Sequence, residues 1–343
     1  MKAPRCGLAS LGLLASILLG LFSGAAQADL SCTPTAGITL NLPATISVPR
    51  DRKFGTVLSS WITSGSETVQ SGCTASDTSN VWLQAQTALQ PTGKTVPDGG
   101  VTYSLFKTGL PGVGIILSAK SFSSSSWKPV GTTAADLVRG WGANWNASAS
   151  VRLIATGEPI SSGVLVGKQV AEFIVNDKTS GTTTTPSPIN ITSTTVTSQT
   201  CTVDAGSKSF TVPVGEINVR KLAGPVGTTA GNASFNIRLA CSTGMNVFMT
   251  FTDASNPGNT SDLLGLSASP QQASGVALQV RRLGTPVKFG PDSSVAGNDG
   301  QIALGASPNG PLDIPFTANF IKTDAVVRGG DANAVATFTL SYQ

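Results

Sequence analysis

The chain of 343 residues is 40% hydrophobic and 12% charged and holds 38 glycines, too apolar for disorder and long enough for more than one core. It contains no histidine, which excludes Ser-His-Asp and Cys-His nucleophiles, His-ligated zinc and imidazole proton shuttles. The formal charge of +4 is small and scattered, so nucleic acid is not an expected partner.

At the amino end, Met1, Lys2 and Arg5 precede an apolar run from Leu8 to Phe22, and Ala26-Gln27-Ala28 supplies a small-x-small site before Asp29. This is the build of a secretory signal, so residues 1–28 are set aside from the fold. A membrane anchor is the competing reading, but the run is shorter than the roughly 20 apolar residues that a bilayer demands. Acylation of Cys32 is a third, and Asp29-Leu30-Ser31 suits it poorly. Removal of the leader takes Cys6 with it and leaves Cys32, Cys73, Cys201 and Cys241 in an oxidising compartment. The pairs Cys32–Cys73 and Cys201–Cys241 have near-equal separations of 41 and 40, one pair to each half. Other connectivities would tie the halves together. No C-x-x-C is present, so structural disulfides rank ahead of metal ligation or a redox dithiol.

All five tryptophans fall in the first half. Trp61 lies inside the loop between Cys32 and Cys73 and Trp82 in Val81-Trp-Leu83, and both are expected to pack in a core. Gly112 and Gly114, in Phe106-Lys-Thr-Gly-Leu-Pro111-Gly-Val-Gly-Ile115, are expected to serve a turn and a close backbone approach, not a phosphate loop. Asp136, Glu158 and Glu172 are the carboxylates from which a β-sandwich hydrolase would draw an acid/base pair, and solvated surface is the preferred reading of all three.

From Ser121 to Ser150, Trp127, Trp141 and Trp145 interleave with Lys128, Arg139, Asn144 and Asn146 among Ser and Gly. Such a mixture suits loops that stack on a sugar face or a peptide and hydrogen-bond its edges, which makes Trp127, Arg139, Trp141 and Trp145 the candidate ligand-binding residues. Core packing competes for each tryptophan. Thr133 to Val138 reads as one short helical turn.

Residues 177–200 are rich in Thr and Ser with Pro186 and Pro188, and predict a seam with one short strand. The expected division is a first domain over 29–188, a linker over 189–198 and a second domain over 199–343. Beyond the seam, Phe235-Asn-Ile-Arg-Leu239, Val247-Phe-Met-Thr-Phe251, Val276-Ala-Leu-Gln-Val280 and Ala336-Thr-Phe-Thr-Leu-Ser-Tyr342 alternate at period two. They predict half-buried antiparallel strands. The whole is expected to be all-β, two β-sandwich domains with no cofactor and no metal site.

The span Cys201 to Cys241 with Phe235–Leu239 before its end, Ala273-Ser-Gly-Val-Ala-Leu-Gln-Val280, Pro286-Val-Lys-Phe-Gly290, Pro315-Phe-Thr-Ala-Asn-Phe320, and Gly330-Asp-Ala-Asn-Ala334 leading into the strand with Tyr342 resemble the type 1 pilin domain of chaperone–usher fimbriae. The resemblance implies an immunoglobulin-like sandwich that lacks its last strand, first filled by a periplasmic chaperone and then, at an outer-membrane usher, by the donor strand of an adjacent pilin. Ala336, Phe338, Leu340 and Tyr342 would form the chaperone-pairing strand. A donor strand that buries about four large apolar side chains gains roughly 6 to 12 kcal/mol before ordering costs.

Shaft pilins of this type carry a donor segment before the first pilin cysteine; here three residues precede Cys32 after the leader, and a whole domain precedes Cys201. The first half, with Val57-Leu-Ser-Ser-Trp61 and Phe106–Ile115, looks like the receptor-binding domain of two-domain fimbrial tip adhesins. The implied protein is not an enzyme. It is secreted through the periplasm, displayed at the fimbrial tip on the bacterial surface and attached to a host glycan or matrix protein. The alternative is a minor pilin or assembly-initiating subunit with a structural first domain.

Overall fold

The computed structural model describes residues 30–242 and 244–343, and their regular structure is almost entirely β-strand. The expected leader over 1–28, with Cys6, lies outside the described residues.

Apolar side chains at alternate positions build two separate cores. The first gathers residues from Leu30 to Val196, the second residues from Cys201 to Tyr342. Around the first core lies a sheet in the order Ser31–Pro34, Glu67–Thr74, Trp145–Ala155, Val113–Ser121, Val101–Lys107, Pro91–Asp98. It faces a sheet ordered Ala135–Arg139, Val81–Gln86, Lys168–Asp177, Ser187–Ile191, Ile38–Leu40, and a small sheet of Gly163–Leu165, Thr194–Gln199 and Thr45–Pro49. Val113–Ser121 does not alternate in burial because both its faces are covered. Its outer face carries Ile116, which joins Val96, Tyr103, Leu105 and Ile154 in a satellite cluster with Trp61 against it. The Trp61 and Tyr103 rings lie 5.4 Å apart and the Arg152 guanidinium 5.2 Å from the Trp61 centroid, so Trp61 is a packing residue.

Gly112 has φ +78°, and a Cβ there would come within 2.5 Å of Ile160 Cα, so the turn and close approach expected of this glycine are what the fold requires. Ala135–Arg139, within the segment read as a helical turn, is instead a strand paired with Val81–Gln86, since Leu137 buries into the core as a strand residue.

The expected linker over 189–198 is not a linker. Ser187–Ile191 pairs with Lys168–Asp177 and, in parallel, with Ile38–Leu40, while Thr194–Gln199 pairs with Gly163–Leu165 and, in parallel, with Thr45–Pro49. Ile189, Ile191 and Val196, the few apolar residues in that polar run, point into the first core. Threonine tolerates the pleated strand well, so a Thr-rich run with alternating isoleucine is strand chemistry as much as loop chemistry.

In the second half one sheet runs Cys201–Val203, Thr229–Cys241, Gly310–Lys322, Val276–Arg282, Thr285–Pro286 and the other Ile302–Ala306, Asn246–Asp253, Ala336–Tyr342. All four stretches that alternate in the sequence lie within strands. Both disulfides join the expected partners, Cys32–Cys73 and Cys201–Cys241, each with Cα atoms 4.1 Å apart. That is closer than the roughly 4.4 to 6.8 Å usual for disulfides. Cys201 and Cys241 are directly opposed on adjacent antiparallel strands, where such short separations arise.

Asp253 ends its strand 1% exposed and organises the turn that follows. Its Oδ1 accepts from Ser255 N–H at 2.9 Å, Ser255 Oγ at 2.6 Å and Asn256 N–H at 3.2 Å, and its Oδ2 from Asn259 Nδ2 at 3.0 Å and Gly265 N–H at 3.1 Å. Burial acts to raise its pKa, but the donors from Ser255, Asn259 and Gly265 outweigh it and hold the carboxyl below the usual range. Its stabilising contribution is therefore complete above the unfolded pKa of about 3.9 and disappears as pH falls through the lower folded value. Melting curves of the full chain between neutral and strongly acid pH should show this loss. Asp253→Ala should lower stability by about 3 kcal/mol at neutral pH and remove that part of the acid dependence; a melt equal to that of the parent chain would contradict it.

Candidate functional site

The first candidate is the terminal strand Ala336–Tyr342. It pairs on one side with Asn246–Asp253, and among the described residues no strand pairs with its other side. Asn246 and Gln343 exchange both main-chain hydrogen bonds, at 2.8 and 2.9 Å, and Ala254 N–H reaches Val335 C=O at 3.0 Å. Antiparallel alternation from these pairs turns the main-chain groups of Ala336, Phe338, Leu340 and Tyr342 to the outer side. The same four side chains face the second core. Neither the outer N–H nor the outer C=O of Phe338 has a partner among the described residues.

Beside this edge the sandwich is open. Cys201–Val203 covers only the Leu239–Cys241 end of the strand Thr229–Cys241; toward Phe235 no strand among the described residues lies alongside on that flank, and residues 209–218 pass there without strand pairing. Phe210 is 40% exposed, and a chain of rings runs from it to Phe235 at 5.7 Å, Phe316 at 5.4 Å, Phe251 at 5.1 Å and Phe338 at 6.4 Å. Phe235 and Phe338 are half-buried, so apolar surface and free main-chain groups meet on one flank. Tyr342 differs from the other three residues of the expected pairing set. Its phenol donates to Cys201 C=O at 3.0 Å, burial pushes its pKa up, and its outer N–H and C=O are both taken by Asp51 of the first half.

The second candidate is one end of the first sandwich. Ser121 pairs with Ala147, so the loop after Val113–Ser121 and the loop before Trp145–Ala155 leave at the same end. Of the four residues expected to bind ligand, Trp141 is 41% exposed and Trp127 half-buried, with Lys120 Nζ 5.0 Å from the Trp127 ring centroid. Arg139 is exposed and donates from Nε to Ser79 C=O at 3.1 Å, which fixes its head beside the turn before Val81–Gln86. Trp145 does not belong with them. It is 7% exposed, because Trp145, Ala147, Ala149, Val151 and Leu153 form the inward set of their strand. A side chain in the core offers no face to a ligand.

Phe122, 73% exposed in the Ser-rich loop and tied through its N–H to Asn146 C=O at 2.9 Å, joins this end. Its signal in the sequence was a lone large apolar residue directly after a strand. Trp82, expected in the core, lies half-buried on the outer face, since Val81, Leu83 and Ala85 are the inward set. Its Nε1 donates to Asn80 Oδ1 at 3.0 Å, and Lys178 Nζ sits 4.6 Å from the ring centroid.

The carboxylates weighed for catalysis have other partners. Asp136 accepts from Gln84 Nε2 and Lys178 Nζ, both at 2.6 Å; burial acts to raise its pKa, but those two bonds bring it below the usual range, opposite to what a general acid needs. Glu172 accepts from Gln86 Nε2 at 2.8 Å and Gln169 Nε2 at 3.3 Å, while Glu158 is exposed. Among the described residues no three Cys, Asp or Glu side chains gather as metal ligands would.

Residues 189–343 match the family model described as fimbrial protein, a match that begins within the last strands of the first sandwich. The F17c-G fimbrial adhesin of Escherichia coli is 37% identical over 116 residues, 33% of this chain and 33% of that protein, so the chain spans a third of the length of that relative. A fimbria adhesin protein of Klebsiella pneumoniae is 26% identical over 273 residues, 76% of this chain and 80% of that one. The crystal structure of the CupB6 tip adhesin from Pseudomonas aeruginosa has a TM-score of 0.35 at 16% identity, over 91% of this chain and 97% of that one. These relatives are adhesive and structural proteins, not enzymes. Residues 189–343 are thus similar to the fimbrial-protein family, and the chain as a whole is similar to fimbrial adhesins.

Proposed function

We propose that this chain is the tip adhesin of a chaperone–usher fimbrium. Its second half accepts a strand, first from a periplasmic chaperone and then, at the outer-membrane usher, from the adjacent pilin. Its first half binds a host glycan or matrix protein without catalysis. The observation that carries the reading is the state of the two strands that bound the second half. Thr194–Gln199, in the place from which a shaft pilin extends a donor, is held between Gly163–Leu165 and Thr45–Pro49 in the first sandwich. The terminal strand, by contrast, leaves the outer main-chain groups of Phe338 unpaired beside half-buried aromatics. The described residues thus offer an edge to a strand while the segment in the donor's place is held, and a subunit of that kind ends a fibre.

The receptor site is assigned to the loop end that carries Phe122, Trp127, Arg139 and Trp141. Aromatic faces stack on sugars or peptides at small entropic cost, and Arg139 with Lys120 and Lys128 suits an acidic ligand. Antibody against the first half, applied to fimbriated cells, should label fibre ends alone, and label along the shaft would refute the tip position. Glycan and matrix-protein arrays probed with the full chain should give one class of ligand. End-only label with no ligand on either array would favour an assembly initiator.

A further inference from the structure

The free edge of the terminal strand is not free along its whole length. Arg50 and Asp51, which follow the strand Thr45–Pro49 of the first half, lie against its last outward positions. Asp51 N–H donates to Tyr342 C=O at 2.8 Å, and Tyr342 N–H donates to Asp51 Oδ2 at 2.9 Å, so both outer main-chain groups of Tyr342 are satisfied as a strand neighbour would satisfy them. The Arg50 guanidinium donates to Leu340 C=O at 3.1 Å and lies 5.0 Å from the Tyr342 ring centroid.

The clamp is itself well held. Asp51 is 5% exposed and its carboxylate takes Arg50 Nε and Nη2, each at 2.9 Å, and Ser294 Oγ at 3.3 Å. Arg50 N–H donates to Gln199 C=O at 3.2 Å, and Ile160 N–H to Arg50 C=O at 2.8 Å, which anchors the pair in the first sandwich. Upstream of this point, the N–H of Leu340 and both outer groups of Phe338 have no partner among the described residues.

We propose that Arg50 and Asp51 terminate the accepting edge, so that an incoming extended segment with alternating apolar side chains pairs with Ala336 to Leu340 and stops short of Tyr342. This rests on the strand-accepting reading above and adds to it the length and register of the strand that fits. To run farther, the strand would have to break three hydrogen bonds, one of them to a buried carboxylate and one from a guanidinium, to regain at most three, and the buried Asp51 carboxylate would lose a donor. The last position of the edge thus belongs to the first half, and the partner strand abuts it.

The test is amide hydrogen exchange on the full chain, with and without a synthetic peptide that alternates Val and Thr and is long enough to span Ala336 to Gln343. In the parent chain the peptide should slow exchange at Phe338 and Leu340 about tenfold or more, while the Asp51 amide keeps its protection. Loss of protection at Asp51 on peptide binding would mean that the strand displaces the clamp, and would overturn the proposal. If the peptide slows neither Phe338 nor Leu340, the strand-accepting reading itself fails and takes the proposal with it.

A second variant, Arg50→Ala with Asp51→Ala, removes both charges together and so leaves none unpaired, with its fold checked by thermal melting. In it the Tyr342 amide should exchange about tenfold faster without peptide and regain protection when the peptide is added, now that the edge is open to its end. A Tyr342 amide as protected in this variant as in the parent would show that the clamp does not hold it.

Discussion

Phe338→Asp should abolish the proposed strand acceptance and leave the first half folded. Phe338 is half-buried, at the end of the ring chain that passes through Phe251 and Phe316, and its outer main-chain groups are those a partner strand must bond. A carboxylate there faces the apolar flank on which the incoming side chains would settle, and its desolvation on pairing costs several kcal/mol, enough to cancel most of the roughly 6 to 12 kcal/mol that four buried apolar side chains supply. Leu340→Asp acts more severely, since Leu340 is 8% exposed inside the second core, and it should lower stability by about 3 kcal/mol or more even without a partner. Thr337→Asp is the control. Thr337 is exposed on the opposite face, so the charge meets water. Co-purification with the periplasmic partner, read beside thermal melting, separates the three variants. If Phe338→Asp co-purifies as the parent chain does, the terminal strand is not the accepting edge.

The second half was legible because its strands alternate on a single buried face, so that Phe235 to Leu239 and Ala336 to Tyr342 show period two directly. The first half was less so. Val113–Ser121 is covered on both faces and loses its alternation, and Ser187–Ile191 and Thr194–Gln199 hide their strand pattern in a Thr- and Ser-rich run whose few apolar residues are all buried. Trp145 and Trp82 were assigned to the wrong sides for one reason. Composition placed Trp145 among loop residues and Trp82 among apolar ones, whereas strand phase decides, and the phase is set by neighbours such as Ala147, Ala149, Val81 and Leu83. The Arg50–Asp51 clamp left no trace in local sequence at all, because Arg50 and Leu340 are 290 residues apart. A contact of that range exists only once both sandwiches have formed.

The same strand phase yields the second large effect, a split among tryptophans that composition groups together. Trp145→Ala empties a position in the first core, and should lower stability by about 3 to 5 kcal/mol, so that its variant loses binding only through unfolding. The Trp145 Nε1 is buried without a hydrogen-bond partner among the described residues, so Trp145→Phe, which drops that donor and keeps most of the apolar bulk, should recover much of the loss. Trp141→Ala and Phe122→Ala remove side chains that are 41% and 73% exposed, and should leave the melting temperature within about a degree or two of the parent. Their cost appears in attachment, about tenfold or more for each if that loop end holds the receptor. Arg139→Ala is intermediate. It frees the Ser79 carbonyl from the guanidinium and removes a charge, so an effect that shrinks with added salt would point to an acidic ligand, and an effect indifferent to salt to loop positioning. Full attachment by the Trp141, Phe122 and Arg139 variants, each with an unchanged melt, would place the receptor site elsewhere on the first half.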